Sequence, residues 1–408
     1  MKRKVICIVC LLLLGAVLTS CAVREEENPT GDISDSVESL SCAESQWGLE
    51  RSTANGMTEL NGIIYFIDND FLYYIDESGT ARVLCSDPDC EHDKGDPRAC
   101  GAYHFMSSRI FSQDGCLYVT SLDEDGSGNQ SIKKYTPEGG LVETVYTVPA
   151  QLQHMICYQG VLYFTYYIFP EDLDTSDPDW MFPSPIIGSF NLETGEEKTI
   201  YTSDYESGYM GNLFAAGDYL YFLESGYEKD SNGLSNMVGT GYKILNISNG
   251  SISNLEVPDN LTVGNIFVYD NQLLMNLFSG EAQKDKTCYT ANLDGSNCKK
   301  YKELAYPCGI SAVYDDVMIT ANTGYDGDSY PEVEAQSPEN KIYKAGKEIL
   351  TFDFSDLAGK DYSNELYYDT YVSDSMIMYR FRDGTIIGLD KADVVNGTFV
   401  PFVVYDRG

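Results

Sequence analysis

Three observations predict an all-β fold, a seven-bladed β-propeller. A strand–turn–strand unit recurs along the chain with a period of roughly fifty residues, the length of a four-stranded blade. Its apolar runs are short and rich in Tyr, Val and Ile, bounded by Gly, Asn and Asp, which is the composition of half-buried strands and their turns. Helical periodicity is nearly absent after the N-terminal apolar run. Six or eight blades, or a β-solenoid, are the alternatives. Seven is preferred because seven strand openings are visible.

Composition agrees with this class. The 408 residues are 43% hydrophobic, enough for a large core, and include 32 Tyr against 2 Trp, with 36 Gly. The net charge of -36 excludes a basic nucleic-acid footprint and disfavours electrostatic adhesion to anionic lipid. Solubility accounts for the acidity, with a cationic ligand or Ca²⁺ as the alternative.

Residues 1–20 read as a lipoprotein signal peptide. Lys2-Arg3-Lys4 is a positive n-region and Val5–Val17 an apolar core too short for a comfortable membrane span. Leu18-Thr19-Ser20-Cys21 resembles a bacterial lipobox, so Cys21 is expected to carry a diacylglyceryl anchor facing outside the cell. An ordinary secretory signal or a retained anchor is the alternative. Residues 21–44 then form a lipidated acidic tether, kept extended by like charges and small polar residues. The propeller domain is expected over 45–408.

The first unit runs from Leu60 to Leu84. Gly62–Ile67 and Phe71–Asp76 read as its first two strands, and a third apolar run ends at Leu84. Equivalent openings begin at Asp114-Gly115, Gln159-Gly160, Gly217-Asp218, Asp270-Asn271, Asp315-Asp316 and Ser373-Asp374, each a polar pair followed by an apolar run. Echoes with an Asn or Asp near Gly or Lys, as in Asn191-Leu192-Glu193-Thr194-Gly195 and Asn246–Gly250, read as hairpins after the second strand. The last opening leaves too little chain for a full blade. Thr385–Lys391 and Phe399–Val404 supply two strands, and a fourth is expected from the N-terminal end around Trp47–Met57, closing the ring by mixing both termini and removing exposed edges.

One cluster carries specific chemistry. Cys85, Cys90, His92 and Cys100 have the spacing C-x4-C-x-H-x7-C, with Asp87-Pro88-Asp89 as a turn between the first two thiols. Three thiolates and an imidazole complete a tetrahedral zinc set, making structural zinc the expected cofactor. The spacing is not that of a standard finger, and a disulfide leaving one odd thiol is the competing reading. The run Leu84-Cys85-x-Asp87-Pro88-x-Cys90-x-His92 with the later Cys100, after a Tyr-rich blade and behind a lipobox, resembles a group of uncharacterised β-propeller lipoproteins of anaerobic Gram-positive bacteria. The blades are similar to those of TolB-like and low-density-lipoprotein-receptor-like propellers. The resemblance implies architecture, a lipid anchor and a recurrent Cys/His cluster, and no activity; an anaerobic host would lower the weight of a disulfide.

The other cysteines look structural. Cys116, at the position of Ile63 and Val161, and Cys157 are read as core packing. Cys298 and Cys308 are spaced for a bridge that spacing alone cannot establish. Catalytic motifs are thin: no nucleophile elbow, no His-Glu-x-x-His and no phosphate loop is present, and His104 and His154 have no adjacent partner set in the sequence. Asp123–Asn129 lacks the bidentate Glu of a Ca²⁺ loop and reads as a solvated turn. Three long insertions, Phe169–Pro185, Glu224–Gly241 and Asn322–Asn340, each follow an opening strand and are expected on one face, where Trp180, Phe182, Tyr325 and Tyr330 would contact a ligand. Tolerated surface insertion is the alternative. The resulting expectation is a monomeric binding or scaffold module with a protein or glycan ligand. The rival is a secreted glycan- or peptide-degrading enzyme using loop-face carboxylates.

Overall fold

A computed structural model describes residues 56–76, 79–92, 100–104, 109–123, 129–148, 151–168, 183–229, 235–269, 271–278, 287–301, 309–314, 317–321, 340–345, 347–354, 367–373, 375–381 and 383–406. All of them fall in the compact unit Leu40–Gly408. They form seven four-stranded antiparallel sheets, each made of four strands consecutive in the chain. Blade one holds β1 (Met57–Leu60), β2 (Ile63–Asp68), β3 (Phe71–Ile75) and β4 (Ala81–Val83). Blade two holds β5 (Ile110–Gln113), β6 (Cys116–Leu122), β7 (Gln130–Tyr135) and β8 (Leu141–Val148). Blade three holds β9 (Gln151–Tyr158), β10 (Val161–Tyr167), β11 (Pro185–Asn191) and β12 (Glu197–Thr202), and blade four β13 (Ser207–Ala216), β14 (Tyr219–Lys229), β15 (Ser235–Asn246) and β16 (Ile252–Asn254). Blade five holds β17 (Thr262–Tyr269), β18 (Gln272–Phe278), β19 (Thr287–Asn292) and β20 (Lys299–Lys300). Blade six holds β21 (Gly309–Tyr314), β22 (Val317–Ala321), β23 (Asn340–Lys344) and β24 (Lys347–Phe352). Blade seven holds β25 (Tyr367–Val372), β26 (Met376–Phe381), β27 (Ile386–Asp390) and β28 (Phe402–Tyr405), with a five-residue helix, α1 (Lys391–Val395), between its last two strands.

The expected blade number is therefore correct, but the strand assignment shifts by one. The polar opening pairs at Asn61, Asp114, Gln159 and Gly217 are two-residue hairpin turns between the first and second strands. Asn61-Gly62, Asp114-Gly115 and Gln159-Gly160 each place both residues at positive φ, the primed turn that suits the twist of paired strands. The runs read as openings are thus the second strands. The Asn-to-Gly echoes are third-to-fourth turns: the Asn191 side chain accepts from the amides of Glu193 and Thr194 at 2.9 and 2.8 Å, and Gly195 N–H donates to the Asn191 carbonyl at 2.9 Å.

First strands of neighbouring blades touch one another, β1 with β5, β9 with β13, β17 with β21 and β21 with β25. They encircle the axis, and the fourth strands form the rim. Because the pattern repeats, every second-to-third connection and every connection between blades leaves from one face of the ring. The opposite face carries the short first-to-second turns.

The core sits between blades. Tyr65, Ile67 and Leu72 pack against Ile110, Leu117 and Val119 of the next blade, and similar clusters fill the other junctions. Tyrosines reach across these junctions: Tyr65 donates to the Pro137 carbonyl at 3.2 Å, Tyr158 to Gly217 at 3.0 Å and Tyr221 to Leu293 at 2.6 Å. A buried Tyr supplies apolar area and a hydroxyl that finds a partner, which gives the Tyr-rich composition its structural reason.

Ring closure differs from the expectation. No strand is exchanged between the termini among the described residues. The strand near Trp47–Met57 is β1, which begins at Met57 and belongs to blade one. Closure rests on packing of Met57, Ile64 and Phe66 against Tyr371, Met378 and Ile386. A buried polar clasp accompanies it: Arg380 Nη2 donates to Asp68 Oδ1 at 3.0 Å and Tyr405 OH to Asp68 Oδ2 at 3.2 Å. Glu59 accepts from the Ser375 amide at 3.2 Å on the same seam.

Two further readings are corrected. Most of the supposed insertion Glu224–Gly241 is a long hairpin, β14 and β15 pairing out to Lys229 opposite Ser235. Its glycines leave room for the ring of Tyr205, since a Cβ at Gly226 or Gly239 would lie 2.2 or 2.4 Å from that ring or its hydroxyl. Cys116 does pack against the cluster of Tyr118, Ile132 and Leu162 but is partly rather than fully buried, and the equivalent Ile63 is 37% exposed, because this position is the first residue after the hairpin turn. Cys157 is buried as expected.

Candidate metal centre

The ligand atoms of Cys85, Cys90, His92 and Cys100 all lie within 4.8 Å of one another. The four residues belong to the connection between blades one and two, on the face that carries the second-to-third connections. Local turn chemistry brings them together. Asp87 Oδ1 accepts from the Asp89 amide at 2.9 Å, and the Cys90 amide donates to the Asp87 carbonyl at 3.3 Å, the Asx turn foreseen at Asp87-Pro88-Asp89. His92 then adopts φ 58. This left-handed backbone is costly for a residue with a Cβ, and it sets the imidazole beside Cys100, with Nδ1 3.6 Å from Sγ. The chain returns along blade one: Leu72 N–H donates to the Ala102 carbonyl at 2.9 Å, His104 N–H to the Asp70 carbonyl at 2.7 Å, and Phe71 pairs with Tyr103. Cys100 is thereby buried while the other three ligands are half-buried.

The electrostatics separate the thiols. Burial acts to raise the Cys85 pKa, but hydrogen bonds from the Asp87 amide, the neighbouring thiols Cys100 and Cys90 and the Gly101 amide outweigh it and leave the value lowered. Burial pushes the Cys100 thiol up to about 12. One thiol eased toward ionisation and one held back from it is an arrangement that a cation would even out, because metal ligation deprotonates thiols outright. All three thiols are free rather than bridged. A tetrahedral ion with bonds of about 2.3 Å to sulfur and about 2.0 Å to nitrogen separates those two atoms by roughly 3.5 Å, close to the observed Cys100–His92 distance. The residues fit a metal and fill all four positions.

The other candidates fare differently. Cys21, Trp180, Phe182, Tyr325 and Tyr330 lie outside the described residues, as do Cys42, Cys308 and most of the Asp123–Asn129 turn, where Asp123 N–H donates to the Asn129 carbonyl at 2.9 Å. Cys298 is free and half-buried. The strand ends flanking 169–182 and 322–339 fall on one face of the ring. Sequence reading missed two residues near this face. Arg109 is buried, and His154 Nε2 lies 2.8 Å from Tyr209 OH. Their partners come from three different blades, so no spacing within the sequence could disclose them.

The described chain is a seven-bladed β-propeller bearing a Cys₃His cluster. No protein-family model matches it, and no curated protein sequence matches it. Among solved structures it is similar to puromycin hydrolase, at 10% identity and a TM-score of 0.54, covering 90% of this chain and 55% of that one. It also resembles an oligogalacturonate lyase from Vibrio parahaemolyticus, at 12% identity and a TM-score of 0.49, covering 81% of this chain and 86% of that one. The chain spans about half the length of the hydrolase it matches. At these identities the likeness is one of fold.

Proposed function

We propose that the protein is a binding or scaffold module held outside the cell by a lipid on Cys21, with the Cys₃His cluster serving as a structural zinc site. The observation that carries the metal reading is the convergence of four ligand atoms within 4.8 Å, in the connection between blades one and two. Thiolate-rich tetrahedral sets suit zinc over harder cations. With all four positions supplied by protein, none stays open for water or substrate, so the ion staples the link between blades one and two. The described strand ends that flank residues 169–182 and 322–339 lie on the face of this staple, which supports Trp180, Phe182, Tyr325 and Tyr330 as the proposed contacts for a protein or glycan ligand. The net charge of -36 makes nucleic acid an unsuitable partner. The rival reading as a degradative enzyme gains no observation. Among the described residues the buried carboxylates are Asp68 and Glu224, and both are in ion pairs, with Arg380 and Lys243.

Metal analysis of anaerobically purified protein tests the centre, with about one zinc per chain expected. No stoichiometric zinc, together with loss of a pair of titratable thiols, would establish the disulfide instead. Membrane fractionation of Cys21→Ser tests the anchor: release from membranes or an unprocessed precursor is expected, and an unchanged lipid label would defeat it. Pull-down from solubilised membranes, with Trp180→Ala and Tyr325→Ala as controls, tests the binding face.

A further inference from the structure

Among the described residues buried charge is paired almost everywhere. Asp68 faces Arg380, and Glu224 accepts from Lys243 Nζ at 2.9 Å and from Tyr201 OH at 3.0 Å. Arg109 is the exception. It stands just before β5, the innermost strand of blade two, and is 6% exposed. Its guanidinium donates to the Gln153 carbonyl of β9, and among the described residues no carboxylate faces it. The four residues before it, Phe105-Met106-Ser107-Ser108, include no acid.

Its neighbours are polar side chains of the next two blades. His154, on β9, is buried and meets Tyr209 OH of β13 at 2.8 Å. Burial, then the charge of Arg109, depress the His154 pKa to about 3, so the imidazole is neutral at pH 7. Burial lowers the Arg109 pKa to about 10, which leaves the guanidinium charged. The site therefore holds one net positive charge. Tyr209 and Tyr227 are half-buried and form its outer side, towards the face of the metal centre. Tyr167 OH, donating to the Gly208 carbonyl at 3.2 Å, backs them.

We propose that the inner ends of β5, β9 and β13 form a site for a single carboxylate group of a small organic ligand, bound by Arg109 and Tyr209. A buried cation without a counter-charge is strongly unfavourable, and an incoming carboxylate removes that cost. The planar guanidinium fork matches a carboxylate in geometry. One positive charge balances a carboxylate monoanion, whereas a phosphate dianion would leave excess negative charge buried. With its proton on Nε2, His154 donates to the Tyr209 oxygen and frees the phenol proton for the ligand. The site gives the binding-module reading a ligand chemistry and rests on that reading, but it needs neither the zinc nor the lipid anchor.

The test compares thermal melting of the full chain with acetate, inorganic phosphate and chloride at matched ionic strength. Acetate is expected to raise the melting temperature in a saturable way, and phosphate and chloride are not. Arg109→Met should weaken acetate binding about ten- to hundredfold, the loss of a charge-assisted hydrogen bond, and without ligand should itself melt no lower than the loss of its hydrogen bond to the Gln153 carbonyl accounts for. Tyr209→Phe, which keeps the ring, should weaken it less. A parent insensitive to acetate, or a stronger response to phosphate, overturns the proposal. A destabilisation by Arg109→Met well beyond the loss of its hydrogen bond to the Gln153 carbonyl also overturns it, because that result means the guanidinium charge is already compensated within this chain. In either case the pull-down still judges the binding-module reading separately.

Discussion

Replacing Asp68 by Ala should open the seam at which the ring closes. Its carboxylate is 3% exposed, sits 3.0 Å from an Arg380 that is 12% exposed, and also accepts from Tyr405 at 3.2 Å. Removing one partner of such a buried pair costs about 3–5 kcal/mol, because the remaining charge loses its compensation. For a ring of roughly 350 residues unfolding as one unit, the unfolding entropy near the midpoint is about 0.7 kcal/mol per kelvin, so a loss of about 4 kcal/mol lowers the melting temperature by about 5–6 °C. Calorimetry at neutral pH reads this directly. A double-mutant cycle with Arg380→Met then isolates the pair: the double variant should be more stable than the summed single effects predict, by about 1–3 kcal/mol. A melting shift below about 1 °C, or strict additivity, would refute the clasp as a source of closure.

Four more outcomes are expected. Cys100→Ser should abolish stoichiometric zinc and expose the blade one to blade two connection to limited proteolysis, with metal content and cleavage mapping as readouts. Acid should destabilise the ring through two histidines. Burial holds His104 near about 4 and His154 near about 3, so below about pH 6.5 the unfolded chain binds protons that the fold refuses. Stability then falls as pH drops from 6.5, by about 3 kcal/mol for each histidine at pH 4. His104→Leu should flatten that slope in melting curves taken between those values, and an unchanged slope would count against the buried-histidine account. Tyr221→Phe should cost about 1 kcal/mol by deleting the hydrogen bond to Leu293 across blades four and five, readable as a shifted urea midpoint. Glu224→Ala should cost more than Tyr201→Phe in the same assay, since it leaves Lys243 without its carboxylate whereas the phenyl ring keeps the packing.

The blades were legible because their second strands are nearly continuous apolar runs placed directly after left-handed turn pairs. The first strands of blades one and two were not legible. Met57-Thr58-Glu59-Leu60 and Ile110-Phe111-Ser112-Gln113 have four residues each, half of them polar, and are only partly buried. Missing them displaced the strand count by one and suggested a borrowed strand at closure. The cluster was legible because its four ligands fall within one connection, where local spacing reports spatial proximity. The clasp of Asp68, Arg380 and Tyr405, and the group of Arg109, His154 and Tyr209, were invisible for the converse reason. Each joins residues tens or hundreds of positions apart, and only the closed ring makes them neighbours. The glycines near Tyr205 were read as a loose insertion because period-2 patterning fades where Gly alternates along a strand.

Closure without strand exchange has a consequence for where this chain can be cut. Each sheet is one uninterrupted stretch of sequence. Blade one begins at Met57 and blade seven ends at Tyr405, and both points lie on the same face beside the clasp. Linking those two points and opening the chain between any two other blades would leave every sheet's hydrogen bonding intact. The clasp would then sit inside a continuous polypeptide, and a different blade junction would become the seam. A ring built this way has no privileged first blade. Circularly permuted versions can place the seam between chain ends, or a fused partner, at a different blade junction.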